Sequence, residues 1–551
     1  MANPFSLIVA GVDNTTVSGA GRTGTLASID FPTAHAFSVG QSIFVQLLTG
    51  PSGFAALNGS WTIVSLTSTR IRFNTDTSGT ITLSAATGTV SLNLLGLPAA
   101  SALTTPYVAL GSVSLTLSGD GDGGSMSFDV FETKTPAGGP WWKSGNVYDN
   151  ARVQFFDSRY SATTPLFLGF ITNITGTMLE NGLGSRASVS VADADEWLNR
   201  TIIRNGKVGI SASSLVDSFT LGTDTSTDQE IIDKLLKRVD AQVNDATTRQ
   251  LLNTAVISGT TRAIYTGTAQ TIGKQKFKAT TLQSALDQVA EEAGGSADVQ
   301  YRYWIDGDGR LNYGPKEAAP TYANAPAEIV TDPASVQVGS AASVTRLLSR
   351  DLSVNLDHTQ VVKGIFVQAD STFARYDSNQ TYPTAPTNDP YFRTYTGTYS
   401  RNGAGQASRN GPLAHEVFSA PKVDKKGDRG VKIGTLARST FTSRAKPIRT
   451  VSFMIGGADL AQTSNPDWEY GLTQGYALTA LATYTLIKAW LPGQYVKLTA
   501  PALDLSATIL YIATVTMTFA QGGGSYQVEY EVQADFRRRY VKGLRGLIAG
   551  E

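Results

Sequence analysis

The feature that most constrains this chain is alternation with a period of two. From Ile509 through Tyr511, Ala513, Val515 and Met517 to Phe519, apolar residues fill every second position, and Tyr526, Val528, Tyr530 and Val532 resume the pattern after Gly522-Gly523-Gly524. Successive strand side chains point to opposite faces, so each run buries one face and wets the other, and the glycines between them mark a long β-hairpin. The same pattern fills residues 105 to 200, where Val113, Leu115 and Leu117 alternate with Ser and Thr, followed by Met126, Phe128 and Val130, by Val153 and Phe155, and by Val189 and Val191. These read as half-buried antiparallel barrel strands. Leu166 to Ile171 is continuously apolar and reads as a strand covered on both sides, with Gly169 permitting a bulge or a close backbone approach.

The period changes in the middle of the chain. Thr227-Asp228-Gln229-Glu230 is a capping-box pattern opening the helical series Ile231, Ile232, Leu235, Leu236, Val239. A second helix is expected from Thr281 through Leu282, Ala285, Leu286, Val289 and Ala293, ended by Gly294-Gly295. Asp193 to Leu198 reads as a helical turn. Val299–Asp306 and Arg310–Tyr313 read as a hairpin around Asp306-Gly307-Asp308-Gly309. Residues 1 to about 97 form a small β module, a barrel or sandwich, with strands at Ser42–Leu47, Trp61–Val64 and Arg70–Phe73. Residues 370 to 430 lose periodicity and read as a functional loop or a disordered excursion. Leu472 to Trp490 is mainly helical in pattern, and Gln494–Leu498 is a strand.

Composition removes several functions. Lys+Arg 45 against Asp+Glu 45 leaves no net charge, so no global field gathers the chain onto nucleic acid or an anionic membrane. A cysteine count of zero excludes disulfides, thiolate metal sites and cysteine nucleophiles. Phe5 to Ala10 has no basic residues before it and makes a poor secretory signal, and the longest apolar stretches are too interrupted to span a membrane. A soluble protein made in the cytoplasm, with no stable membrane insertion, is expected.

Candidate chemistry is sparse. His35, His358 and His415 have no metal-ligand spacing, and His415-Glu416 is not His-Glu-x-x-His. Asp120-Gly121-Asp122-Gly123-Gly124 and Asp306-Gly307-Asp308-Gly309 offer oxygens to calcium, but neither has the distant Glu of an EF-hand loop, and turn chemistry accounts for both. Asp193 with Asp195, and Glu291 with Glu292, are sequence neighbours and do not establish two carboxyls facing one cleft, as a wall-digesting glycosidase requires. Arg537-Arg538-Arg539 with Lys542 and Arg545 form a basic run that reads as a solvated tail or a subunit contact. Gln521 to Gly524 lacks the Lys-Ser or Lys-Thr of a phosphate loop and reads as a hairpin turn. No catalytic, cofactor-binding or metal residue is assigned, and no enzyme activity is expected.

The order Ser125–Val130, Ala151–Phe155, Phe167–Ile174 and Ser188–Asp193, then Thr281–Leu286 with Trp304–Leu311, then Leu491–Leu498 and the final hairpin, resembles the baseplate or tail-tip hub family of tailed bacteriophages. The resemblance covers about 105 to 540. His35–Gln41 and Leu57–Trp61 are similar to a decoration module of phage structural proteins. It implies a mainly β fold with an α/β insertion: two hub-type β-barrel domains, a small α+β unit and an extra N-terminal β module. The implied divisions are 1–97 for the decoration module, 98–205 for the first barrel, 206–330 for the α/β insertion, 331–440 for a connecting domain with a long loop, and 441–551 for the second barrel and basic tail. The implied function is a symmetry adaptor at the virion tail tip: a homotrimer, pseudo-sixfold in its barrels, joining the tail tube and distal tail proteins to tip or fibre proteins and passing genomic DNA. The rival expectation is a carbohydrate-binding receptor protein using Tyr376, Tyr382, Tyr391, Phe392, Tyr395 and Tyr399.

Overall fold

Every strand carries backbone N–H and C=O groups that need partners on both edges, and the pairing of those edges defines this molecule. The computed structural model describes residues 5–10, 14–95, 106–118, 123–132, 151–158, 164–178, 184–203, 218–242, 263–278, 280–297, 301–307, 309–315, 327–331, 345–348, 350–357, 364–369, 372–377, 417–419, 448–456, 491–503, 505–522 and 525–535. A 14-stranded sheet dominates. Its strands are β1 (Phe5–Val9), β2 (Tyr107–Val108), β3 (Ser114–Ser118), β4 (Ser125–Glu132), β5 (Arg152–Asp157), β6 (Phe167–Met178), β7 (Ser185–Asp193), β8 (Ala327–Val330), β9 (Thr345–Leu348), β10 (Arg350–Asp357), β11 (Ile448–Gly456), β12 (Tyr495–Ala500), β13 (Leu505–Gly522) and β14 (Ser525–Asp535).

The sheet curls round twice, the first circuit closing by hydrogen bonds and the second linked at its end by the chain that runs from β9 into β10. In the first circuit β1 pairs β5, then β6, β7 and β4 follow, and β4 pairs β2 and β3. Leu94 completes the circle, donating its N–H to Leu7 O at 3.0 Å and accepting from Val108 N at 2.6 Å. In the second circuit β8 pairs β12, then β13, β14 and β11 follow, β11 pairs β10, and β9 returns to β8. The circuits visit equivalent strands in the same order, β8 to β14 standing for β1 to β7. The first two members differ: β1 runs antiparallel to β5 whereas β8 runs parallel to β12, and β2 pairs β4 whereas β9 pairs β8.

The equivalence extends to single residues. Asn173, Ser190, Ser127 and Ser114 lie in register across the first barrel, as Thr514, Gln533, Ser452 and Ser353 do across the second. Phe128 opposite Val189 is matched by Phe453 opposite Val532. Both long strands bulge at the same place, between Ile171 and Asn173 in β6 and between Ile512 and Thr514 in β13. Beside each bulge Ile171 N–H donates to Ala151 O at 3.0 Å, and Ile512 N–H to Gln494 O at 2.9 Å.

These pairings draw strands from beyond the expected divisions. β1, counted with residues 1–97, belongs to the first barrel, and β8 to β10, lying before residue 441, belong to the second. Periodicity reports which face of a strand is buried and carries no record of which distant strand pairs it, so boundaries between nested barrels are hard to read locally. The β13 bulge also changes the expected face. Tyr511 is buried as expected, but Leu510 and Ile512 are fully buried as well while Ile509 and Ala513 are half-buried, because one extra residue shifts the alternation before Val515, Met517 and Phe519. Leu166 to Ile171 is a both-faces strand as expected. Phe167 and Ile171 enter the main core and Phe170 a second one, while a Cβ on Gly169 would lie 2.2 Å from Ala192 O.

The N-terminal module, inserted between β1 and β2, is itself a closed barrel. Gly19–Thr23 pairs Leu26–Asp30, and Arg70–Asn74, Gly59–Thr67, Ser42–Thr49 and Thr87–Leu92 follow in turn; Thr87–Leu92 then pairs Asn14–Thr16, and Ile81–Ala85 pairs Gly19–Thr23. Buried Asn93 fixes it to β1. Its Oδ1 accepts from Leu7 N at 3.0 Å and Leu95 N at 3.1 Å, and its amide nitrogen faces the hydroxyls of Ser60 at 3.0 Å and Ser6 at 3.2 Å. Phe44 of the module packs against Phe156 of β5, the tilted rings 4.3 Å apart.

The α/β insertion holds the second core. Helices α1 (Asp195–Arg200), α2 (Asp228–Gln242) and α3 (Leu282–Ala297) bury Trp197, Leu198, Ile231, Ile232, Leu235, Leu236, Leu282, Leu286 and Val289 against the Tyr301–Ile305 and Leu311–Pro315 hairpin. The capping box forms, Thr227 Oγ1 accepting from Glu230 N at 3.3 Å while Glu230 Oε2 accepts from Thr227 N at 3.4 Å. α3 runs through Gly294-Gly295 to Ala297, and neither glycine takes the positive φ of a C-cap, so both remain helical. Among the described residues, no helix is long and apolar enough to cross a membrane.

Asn93→Ala strands the Leu7 and Leu95 amides in a buried site, where each unsatisfied group costs about 1–3 kcal/mol. A loss of roughly 2–4 kcal/mol is expected in urea unfolding, together with easier proteolytic release of the module, whereas Asn173→Ala at an exposed position should shift neither readout.

Candidate functional site

The two barrels meet edge to edge. β3 lies antiparallel along the second half of β13, with Ser114, Leu115, Thr116, Leu117 and Ser118 opposite Thr518, Met517, Thr516, Val515 and Thr514. On one side of this seam the hydroxyls of Thr116 and Thr516 are 3.3 Å apart. On the other, Phe519 packs 5.1 Å from Phe5 and 5.2 Å from Phe155, placing an aromatic cluster beneath the joint. Such contacts add about 0.5–1.5 kcal/mol per aromatic pair beyond area burial. The seam joins residues 400 apart in sequence.

Because pairing continues through the seam, the solvent face continues too. One register row runs Asn173, Ser190, Ser127, Ser114, Thr518, Glu529, and the next runs Ala192, Ser125, Thr116, Thr516, Glu531. Beneath these rows Met126, Leu115, Met517 and Val515 alternate into the core, Leu115 and Val515 with no exposure. A shallow depression lined by Ser114, Thr116, Ser125, Ser127, Thr172 and Ser190 lies on the first-barrel part. The rows named contain hydroxyls and amides with two exposed glutamates and no cation. Beside them, Arg186 is paired with Asp129, whose carboxylate also accepts from Ser188 Oγ at 2.6 Å. Among the described residues, this surface has no nucleophile–base pair; it is suited to contact and hydration.

Among the described residues, the candidate residues do not assemble into a second site. His35 accepts at Nδ1 from Phe37 N at 3.2 Å and packs 5.0 Å from Phe31, a role within the N-terminal barrel. Asp306 closes its hairpin, accepting from Arg310 N at 2.9 Å and Asn312 Nδ2 at 3.0 Å. Asp195 accepts from Ile305 N at 2.8 Å, tying α1 to that hairpin. Glu291 is exposed and Glu292 half-buried on α3. His358, His415, Asp120, Asp122, Asp308, Tyr382, Tyr391, Phe392, Tyr395, Tyr399 and the basic run from Arg537 to Arg545 lie outside the described residues, as does the helical pattern of Leu472 to Trp490. Tyr376 lies on the strand Thr372–Asp377. Among the described residues no three His, Asp or Glu come together to hold a metal ion.

Asp193 has a role that sequence reasoning did not assign. It accepts from Gly124 N, and from Asp195 N at 3.0 Å and Glu196 N at 3.3 Å, clasping the start of β4 to the first turn of α1. Burial pushes its carboxyl from 3.8 up to about 6, against the pull of those three donors, and the charge of Glu196 pushes the same way. A folded-state pKa above the unfolded one means that the folded chain holds a proton the unfolded chain releases. This contribution to stability is complete below about 3.8 and lost as pH rises through about 6. Asp193→Asn, neutral throughout, should flatten urea midpoints across that window, and an unchanged slope would contradict the assignment.

No family model matches the chain, and no curated protein matches it. Solved structures to which it is similar include the tail protein from Neisseria meningitidis MC58, at a TM-score of 0.42 and 12% identity over 79% of this chain and 94% of that one. Two others are the 43 kDa tail protein of prophage MuSo2 from Shewanella oneidensis, at 0.42 and 11% over 76% and 92%, and the prophage tail protein gp18 from Listeria monocytogenes EGD-e, at 0.39 and 10% over 80% and 93%.

Proposed function

We propose that this chain is a structural hub of a phage tail tip, three copies of which form a ring, pseudo-sixfold in its barrels, joining the tail tube to the terminal adsorption apparatus. The observation that carries the reading is the duplication: two barrels of one strand order, matched residue by residue and fused side by side through a continuous sheet. A chain carrying two equivalent modules presents six nearly equal positions when three copies close a circle, and closed cyclic symmetry is the common end state of repeated head-to-tail contacts. The order of sequence motifs resembling phage hub proteins points the same way. Threefold features inserted around the barrels then serve a tip or fibre.

In this reading the hydroxyl-rich face lines the bore through which genomic DNA passes. Neutral hydroxyls hold water, and the two described rows, which carry no cation, release no counterions from DNA and so do not retain it. No catalytic step is assigned to the chain.

Mass measurement of the purified chain at micromolar concentration should give three times 58.4 kDa, and electron microscopy should show rings with six barrel densities in the wall and three more from the N-terminal modules outside it. A monomer under these conditions, absent from virion tails, would reject the hub. Ser127→Lys with Thr516→Lys should leave the ring intact but make it bind duplex DNA at about 50 mM salt and release it as salt rises, the parent ring binding at neither.

A further inference from the structure

The duplication also identifies which edges join one chain to the next, an inference that rests on the ring reading. Within the chain, the seam pairs the second half of β13, Thr514–Thr518, with β3, Ser114–Ser118. By the register match, Asn173–Thr177 of β6 stands where Thr514–Thr518 stands in the second barrel, and Ser353–Asp357 of β10 stands where Ser114–Ser118 stands in the first. Each equivalent strand is paired along one edge, Asn173–Thr177 to β7 and Ser353–Asp357 to β11, and among the described residues nothing pairs the other edge. Asn173, Thr175, Gly176, Thr177, Ser353 and Asn355 are exposed, and Ile174 and Val354 are only half-buried against the core.

We infer that β10 of one copy pairs antiparallel with β6 of the next, repeating between chains the joint that β3 and β13 make within one. The register follows from the intrachain seam: Ser353 opposite Thr177, Val354 opposite Gly176, Asn355 opposite Thr175, Leu356 opposite Ile174, and Asp357 opposite Asn173. The occupant of both edges is a second copy of this chain because each edge is the counterpart of a strand that already binds the other's counterpart. Strand addition at an open edge supplies main-chain hydrogen bonds without requiring a preformed pocket. It would also cover the remaining exposure of Ile174 and Val354. The contact is heterologous, so its step is the same at every position and closes a ring when the rotation permits.

The natural absence of cysteine makes the register directly testable. The Thr116 and Thr516 hydroxyls, 3.3 Å apart, show that side chains at this level of the seam meet, so Thr116→Cys with Thr516→Cys should form an internal disulfide and serves as the positive control. Thr175→Cys with Asn355→Cys should give disulfide-linked dimers and trimers on oxidation, while equimolar mixing of the two single variants should stop at dimers. In the unsubstituted trimer, amide hydrogen exchange at 173–177 and 353–357 should be as slow as at 114–118 and 514–518. A trimer that cross-links only at another register, or exchanges fast at both edges, overturns this pairing and leaves the ring standing. A chain that stays monomeric by mass overturns both.

Discussion

The structure depends on how strand edges are satisfied. A barrel normally removes its edges by closing; here the first circuit closes through the single backbone link at Leu94, and in the second β9 pairs β8 and leads along the chain into β10. Closure is incomplete because β13 outruns its neighbour. β12 covers it as far as Tyr511, and Thr514–Thr518 would be left with an open edge had β3 not been placed there. The bulge at Ala513 marks the exchange of partner, since it breaks the ladder and turns the strand where one neighbour ends and the next begins. Two barrels thereby become one sheet, with an aromatic cluster from β1, β5 and β13 beneath the joint.

Much of this was legible in the sequence because it is local. The final hairpin, the alternation of β3, β4 and β7, the Gly169 approach, the capping box at Thr227 and the Asp306 turn each follow from residues within a few positions of one another. What was not legible is of two kinds. Bulges leave the composition of a strand intact while inverting its faces, so Ile509 and Ala513 resembled core residues and Leu510 did not. Long-range partnership leaves no local trace: Thr116 and Thr516 are two threonines among many, and nothing near Phe5 says that it completes a barrel whose next strand begins after an inserted module of some ninety residues. The Asp193 clasp falls between these cases. Its place before a helical turn was visible, and its bond to Gly124 was not.

The polar face follows from the same constraint. A strand paired on both edges and packed on one face has only its outer face free, and β-branched Thr with small Ser fits a pleated, half-exposed surface without adding charge. Alternation therefore produces hydroxyl rows wherever the core positions are aliphatic, and continuous pairing aligns those rows from β6 to β14. The seam contributes to this face as well as to stability, because without it the rows would stop at Ser114 and restart at Thr518.

In the proposed ring, duplication with unequal insertions would let one chain present two symmetries. The equivalent strands are matched in order and register, and the long pair β6 and β13 in bulge position, whereas what lies between them is not. Between β1 and β2 stands a complete barrel, while the residues between β8 and β9 number only 331 to 344; β3 and β4 are joined by 119 to 124, while β10 and β11 are separated by 358 to 447. Insertions of this kind leave the paired strands undisturbed, since loops tolerate length at small entropic cost while ladders tolerate no slip. A ring built by repeating the seam would then have a wall that is nearly sixfold, fixed by the strand registers, and a periphery that is threefold, fixed by which of the two equivalent connections carries the extra domain. The Asn93 contacts make that periphery definite, because they fix the inserted barrel to β1 and so set its orientation by the wall itself.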